Sequence, residues 1–484
     1  MNAPASVTVP RPALLAAIFV FNFIEFLSTG MTVFAAPAIM GHVGASPEEY
    51  ATVSALYAAV AVLSISQLTV LLQRLGWRNY LLGAALCYMV GAWLCATSGT
   101  VAAFAGGRLL MAMGGGVFMT AARMMVNLIP PSPQRLHGIA AFGGALSLGL
   151  ALGPLAAATF VGHEAWGGMF LALALLAALG AGIAARWMPL GADTLEGTPT
   201  RMHVPDAILL GGGAAIALHA LQHLTYDWHG ERGALLGRLG LGLALLGAFG
   251  LLKARRHEPF LHLNILSSAR YRLGLLIFAV CYAVLGMVNT LLPQVLQKGL
   301  GVGLEQAGVL QGIGLLSTFG VFVVMLQMVK RNPHPTRFFV TGFLMLAALG
   351  WRFATLDPRA DAWDTVMLWL GLFGGFLTLG MATAAIHSFK DLQADNVIFS
   401  HAQQLKNMLG QVGLALGVGV TNIALQERTA LHSSRLGEKA ASLGDGGAAL
   451  ARQASLLADQ DLFWIVMWVG LAGAVVLALQ RRFD

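Results

Sequence analysis

The amino-acid sequence predicts an all-α polytopic membrane protein, and three observations lead there. Hydrophobic residues make up 57% of the 484 and charged residues only 11%, with a mean hydropathy of +0.73. A soluble domain carries about 25% charged residues, so this chain has less than half the charge that a water-facing surface needs. Stretches of about 20 apolar residues, the length that crosses a hydrocarbon core, recur along the whole sequence. Glycine is also abundant, at 59 residues, which suits close helix–helix approach through small side chains in lipid.

Taken in order, the apolar stretches place spans near 12–36, 50–72, 79–98, 101–124, 138–160 and 168–187. Two more follow near 206–226 and 234–253, then six near 272–293, 305–329, 337–355, 363–386, 398–425 and 460–480. That makes fourteen. The first begins near Pro12 without a basic leader or a cleavage site, so it reads as a spanning helix and not a removable signal peptide.

Orientation follows from the basic residues. With the N-terminus inside, seventeen Lys/Arg fall on the inner side and nine on the other, four of the nine in the long loop 426–461 where the rule is weak. The expectation is a bacterial inner membrane protein with both termini cytoplasmic. The net charge of +7 therefore reports topology. No basic run interleaves with exposed aromatics, so nucleic acid is not an expected partner. Cys87, Cys95 and Cys281 all lie in apolar spans and imply neither a disulfide framework nor a metal cluster, and no cofactor is expected.

Ionisable groups at membrane depth are costly and face a cavity or a partner, so they are the functional candidates. The basic ones are Arg108, Arg123 and Lys406, and Glu25 is the carboxylate squarely inside a span. In span one, Asn22, Glu25, Thr29 and Thr32 recur at three- and four-residue intervals on one face. Glu25 lies ~20 Å along the helix from Pro12 at 1.5 Å per residue, near mid-bilayer. Desolvation there disfavours the charged carboxylate, which suits a group that takes a proton from one side and gives it to the other; a structural carboxylate paired with a basic side chain is the alternative. In span thirteen, Gln403, Lys406, Asn407 and Gly410 share a face, flanked by Gln404 and Gln411. Lys406 sits ~14 Å inside by the same rise and has three readings: an ion pair with Glu25, a site for an acidic substrate, or a neutral core lysine. Asn289 in span nine is a further polar candidate. His219, Gln222, His223, Tyr226, Asp227 and His229 end span seven; His219 and His223 have the spacing of a metal pair, but polar residues are common at helix ends. The loop 426–461 interleaves leucines with charges, as short amphipathic helices do, and is either a solvated flap or a surface for a periplasmic adaptor protein.

Several segments carry a family resemblance. The stretch Thr69–Arg78 between spans two and three resembles the G-x-L-x-D-R-x-G-R-R loop of the major facilitator superfamily, with Arg74, Gly76 and Arg78 matching and Gln73 in place of the acidic residue. Gly107-Arg108 through Gly114 and Gly116 in span four resembles R-x-x-Q-G-x-G, with Met111 and Ala112 in place of Gln and Gly. In span five, Gly149, Gly153 and Pro154 match G-x-x-x-G-P-x-x-G-G, the antiporter motif, with Ala157 and Ala158 closing it. The physical sense is a kinked helix with a smooth face against which another helix rocks. Arg256–Leu263 resembles the entry to the second six-helix bundle and Leu292–Gly301 with Gln306–Gly308 its first hairpin, whereas the loop after span ten holds no second R-x-G-R-R copy. The whole resembles the fourteen-spanner drug/proton antiporter branch, in multidrug or siderophore exporters. The resemblance implies the major facilitator fold: an N-terminal six-helix bundle (12–187), two inserted helices (188–253) and a C-terminal bundle (254–484). It implies a proton-coupled exporter of amphipathic organic molecules, with Glu25 coupling protons and Asn22, Thr29, Arg108, Asn289, Gln403, Lys406, Asn407 and Gln411 around the substrate. Proton-coupled uptake of an organic solute is the alternative. An enzyme would need a clustered nucleophile–base set, which the sequence lacks.

Overall fold

The computed structural model describes residues 9–130, 132–191, 204–224, 226, 230–254, 261–331, 334–392, 395–440, 447–481 and 483. Residues 256–260 of the Arg256–Leu263 motif, and Asp227 and His229, lie outside them. All the regular structure among the described residues is helical.

Local chemistry sets the ends of the helices. α1 (Arg11–Phe34) and the short α2 (Ala36–Val43) end at Gly44, whose φ of 67° closes the helix in the left-handed region. α3 (Pro47–Ala96) starts at a capping box, in which the Ser46 amide donates to Glu49 Oε2 at 2.8 Å and the Glu49 amide to Ser46 Oγ at 3.1 Å. Its 50 residues would run ~75 Å if straight, more than twice the ~30 Å hydrocarbon thickness. It is broken at Gly76, where φ is 74° and ψ 169°, a conformation open only to glycine. The chain turns back there, because Gly114 and Gly116, two residues apart, abut Ala84 and Ala61 on the two limbs of α3. Thirteen helices among the described residues are long and apolar enough to span; the hairpin in α3 divides one into two, so the fourteen expected crossings are present.

The same turn explains the Arg74–Arg78 motif. The amides of Trp77 and Arg78 donate to Gly191 O at 3.4 Å and Pro189 O at 3.0 Å, and Arg78 Nε donates to Met188 O at 3.0 Å. Gly76 lies so close to Leu190 O that a Cβ would overlap it. Gly76 and Arg78 thus clamp the turn onto the end of the sixth crossing, while Arg74 is exposed.

α4 (Val101–Gly115) and α5 (Phe118–Val126) form the fourth crossing, interrupted at Gly116–Val117; α6 (Arg135–Gly162) and α7 (Trp166–Trp187) complete the first half. The seventh and eighth crossings are α8 (Val204–Ala207) with α9 (Gly213–His223), and α10 (Arg232–Ala254). They pack outside the seam between the halves: Leu218 meets Ala58 of α3 and Ala415 of α16 in one cluster. The second half comprises α11 (Ala269–Gln294), α12 (Leu304–Arg331), α13 (Pro335–Ala354), α14 (Met367–Leu377), α15 (Thr383–His387), α16 (Asn396–Ala440) and α17 (Gly447–Leu479).

The segment 426–461 departs from expectation. It is no flap of short helices, because α16 runs on to Ala440 and α17 begins at Gly447. At 45 residues α16 reaches ~68 Å, so it leaves the bilayer and pairs with the start of α17. His432 Nε2 lies 2.9 Å and Arg428 3.6 Å from Asp461 Oδ2 across that pair. Polar leucine-rich sequence outside lipid stays helical when it has a helix to lean on.

The two halves meet along two seams of different chemistry. On one, Gly308 and Gly312 of α12 press against Pro154, Leu155 and Ala158 of α6, a smooth surface of small groups. On the other, α16 is tied to α3 and α5: Gln404 Nε2 donates to Ile65 O at 2.9 Å, Ser400 Oγ lies 3.2 Å from Thr69 Oγ1, and Asn407 Nδ2 donates to Thr120 Oγ1. Gly149 and Gly153 point elsewhere, onto α1 of the same half. A Cβ on Gly153 would sit 2.8 Å from Gly30 Cα, so the two glycines set the α1–α6 distance and not the seam. Gly153→Leu is therefore expected to cost about 1–3 kcal/mol by overpacking and to lower the thermal unfolding temperature of the purified protein. Unchanged unfolding would overturn this close approach.

Candidate functional site

Below, the face at which α1 begins is the N face. Two cavities lined by described residues lie between the halves. The larger, about 690 Å³, is lined by α5, α6, α11, α12, α16 and the segment 377–386. Its wall is chiefly apolar, with Phe142, Phe278, Phe322 and Met381, yet Arg123 and Lys406 both open into it. Lys406 Nζ lies 4.9 Å over the Phe278 ring, and the Arg123 guanidinium 5.3 Å from the centre of Phe399. Arg123 is the charge that acts on Lys406, and among the described residues no carboxylate lies within ion-pair reach of either. Both basic groups have lost their water among apolar side chains, and neither has an acid to pair with among the described residues. The arrangement favours an anion between them. The smaller cavity, about 370 Å³, lies nearer the opposite face, between Gly30, Phe34 and Pro154 of one half and Asn289, Pro293 and Gln311 of the other.

Glu25 occupies a third position. It is 6% exposed, Arg108 is the charge that acts on it, and the Gln411 side chain faces it. Arg108 itself stacks 4.1 Å over the Tyr57 ring, so it does not reach towards an interface. Gly115 brings the α4 backbone against this group: a Cβ there would lie 3.8 Å from Glu25 Oε2 and would collide with Tyr88. Tyr282 joins the two places. It lines the larger cavity and stands within electrostatic range of Glu25, and its hydroxyl lies 3.5 Å from Met119 Sδ.

The predicted residues therefore divide. Arg108, Gln411 and Glu25 form one cluster, while Lys406 belongs to the larger cavity with Arg123, not Arg108, as companion. The Glu25–Lys406 ion pair is not formed. Asn289 lines the smaller cavity. Asn22 donates to Phe142 O at 2.7 Å, tying α1 to α6, and Thr29 Oγ1 bonds the Glu25 carbonyl within its own helix. Asn407 serves the α5–α16 tie. Gln403 is wholly buried, with neither side-chain atom hydrogen-bonded, and lines neither cavity. His219 and His223 stack face to face at 4.1 Å, and His223 Nε2 lies 2.7 Å from Thr52 Oγ1, so that ring already has a partner within the protein.

Sequence reasoning missed the aromatic and methionine wall of the larger cavity. Apolar residues in apolar spans carry no signal until their neighbours are known. It also missed a buried ion pair: Lys253, counted among the loop charges, and Asp206 are each about 1% exposed and bonded to one another. The pair joins the start of the seventh crossing to the end of the eighth. Lys253→Ala is expected to destabilise by about 3–5 kcal/mol, the cost of breaking a buried ion pair from one side, and Asp206→Leu/Lys253→Met to recover most of the loss. Thermal unfolding of the three proteins in detergent checks this; equal losses in the single and double variants would overturn it.

Two helical halves around an amphipathic cavity, in a multi-pass membrane protein, define the class of alternating-access transporters. The chain belongs to the Major Facilitator Superfamily, whose profile it matches over residues 18–418; that is a family of transporters and not of enzymes. It is 25% identical over 433 residues to MdtD of Pectobacterium atrosepticum, a protein named for multidrug resistance, with 88% of each chain covered. It is 23% identical over 444 residues to the fatty acid resistance protein FarB of Neisseria gonorrhoeae, covering 89% of this chain and 85% of that one. Its fold is similar to that of the human organic anion transporter MFSD10, with a TM-score of 0.61, 15% identity, and 97% and 100% of the two chains covered.

Proposed function

We propose that this transporter is a proton-coupled exporter of amphipathic organic molecules that bear an acidic group. The observation that carries the reading is the apolar cavity between the halves with Arg123 and Lys406 in its wall and no acid beside them. The apolar wall takes the body of the molecule and the two cations take its charge. The resistance proteins similar to this chain, FarB with its fatty acids among them, support outward movement. The N face is cytoplasmic, and the substrate enters the cavity from that side or from the inner leaflet.

Glu25 couples the cycle. Ionised, it holds Arg108 across the α1–α4 packing; protonated, it releases that attraction and lets α1 shift against α11 and α16, which bring Tyr282 and Gln411 to it. Each proton moving inward releases ~2.3 kcal/mol per 100 mV. The paired extensions of α16 and α17 on the periplasmic side are where an adaptor protein would seat. The test is substrate-dependent proton movement in proteoliposomes over a small library of lipophilic acids, neutral analogues and permanent cations. Proton release triggered by acids alone supports the reading, and release triggered by cations alone sinks it.

A further inference from the structure

The opposite face of the second half holds a carboxylate that takes no part in the mechanism above. Asp459 on α17 is 0% exposed, and neither of its oxygens has a hydrogen-bond partner. It lines neither cavity. Its two neighbours in sequence are fully engaged: Gln460 Nε2 donates to Leu356 O at 2.7 Å beyond α13, and Asp461 holds His432 and Arg428 of α16. Three successive side chains thus point at three different parts of the half, and only Asp459 finds no donor. An ionised carboxylate buried this way costs several kcal/mol, so an unpartnered one is neutral.

The segment Val295–Gly299, which continues α11 as a π-helix, packs against this part of α17. Leu456, one turn before Asp459, packs on Gly299, and Arg452 lies 3.5 Å from where a Gly301 Cβ would be. Pro293 inside α11 lacks the amide that would continue the regular ladder, and widened turns of this kind mark places where a helix changes register. Pro293 also lines the smaller cavity. A change in that cavity therefore reaches the segment beside Asp459 along residues 293–299 of one helix.

We propose that Asp459 is a proton-binding site separate from Glu25. It keeps its proton while the 295–299 segment packs beside it, and loses it when that segment lifts and the opposite face opens to water. Among the charged groups on the surrounding elements, Lys298 on that segment reaches it electrostatically. Arg428 and His432 of α16 are committed to Asp461, Arg452 sits at Gly301, and Arg352 ends α13 half-buried. The proton is bound in the closed arrangement, so acid on that side favours closure and alkali favours opening.

The experiment uses the full chain in lipid nanodiscs and needs no substrate, so it stands or falls independently of the transport reading. In Glu25→Gln, infrared difference spectra between neutral and alkaline pH are expected to show the C=O band of a protonated carboxyl, and Glu25→Gln/Asp459→Asn to lose it. Absence of the band from the first variant, or its persistence in the second, overturns the proposal. A second measurement covers a variant that fails to fold. Gln297→Cys, with Cys87→Ser to remove the most accessible native thiol, is labelled by an impermeant maleimide. Labelling is expected to rise with pH, and Lys298→Gln, at an exposed position, to shift the midpoint to higher pH by removing a charge that favours ionisation. A midpoint that stays put or moves down overturns the proposal.

Discussion

Glu25→Gln is expected to abolish uphill transport while leaving a folded protein that still binds substrate. With a potential of 100 mV supplying ~2.3 kcal/mol per charge and one pH unit ~1.4 kcal/mol, one coupled proton sustains a gradient of several hundred-fold. Without a titrating carboxylate the proton's contribution to that ratio is lost. Glutamine keeps the shape of the side chain but remains neutral at every pH, so the charge that acts on Arg108 is lost permanently. Counterflow exchange, which needs no proton, should survive. The dependence of transport on external pH, present in the wild type, should be flat in the variant. Vesicles loaded with a fluorescent lipophilic acid and energised by a pH jump provide the measurement, and full accumulation by Glu25→Gln would sink the coupling role.

How much of this was legible in the sequence depends on the kind of signal. Spans were legible to within a few residues because a membrane helix is written in its own composition. Gly76 was legible as part of a motif, and its structural reason is the positive φ at a turn clamped on Met188–Gly191. Glu25 and Lys406 stood out because charge is rare at depth, and both are buried. Which charge faces which was not legible. Helical periodicity gives the face of a single helix, but the pairing of faces is set by how fourteen crossings pack. Arg108 and Arg123 lie fifteen positions apart on one crossing, with the break at Gly116–Val117 between them. One joins Glu25 and the other joins Lys406. Asp206, Lys253 and Asp459 escaped notice for a different reason. They sit at predicted span ends, where charge is ordinary, and only the packing shows that these three are buried. The helical extension of α16 was hidden because its sequence outside the bilayer is polar and its partner strand of helix, the start of α17, is distant in neither sequence nor space but ambiguous in composition.

Lys406→Ala is expected to weaken binding of lipophilic acids by roughly 10- to 100-fold, the worth of a buried hydrogen bond to a charged group at about 1.5–3 kcal/mol, and binding of their neutral amides by no more than about threefold. The asymmetry follows from the cavity. Its wall of Phe142, Phe278, Phe322 and Met381 treats both classes alike, whereas Arg123 and Lys406 distinguish them. In the empty cavity both basic groups have lost their water and have no acid to pair with among the described residues, which opposes closure of the halves around nothing. A carboxylate between them supplies that partner, so the acid is bound and the closed arrangement favoured in one step. Arg123→Ala should act in the same direction. Removing both cations should cost less than the two single losses combined, because each single variant also relieves the other cation of its like charge. Arg108→Ala serves as the control: it disturbs Glu25 and hence coupling, but should leave the acid-to-amide ratio unchanged, since Arg108 is stacked on Tyr57 away from this wall. Fluorescence titration of the purified variants with a matched acid and amide reads the ratio directly. Equal losses for both ligands in Lys406→Ala, or a shift of the ratio by Arg108→Ala as large as that by Lys406→Ala, would show that the cation pair does not select the charge of the cargo.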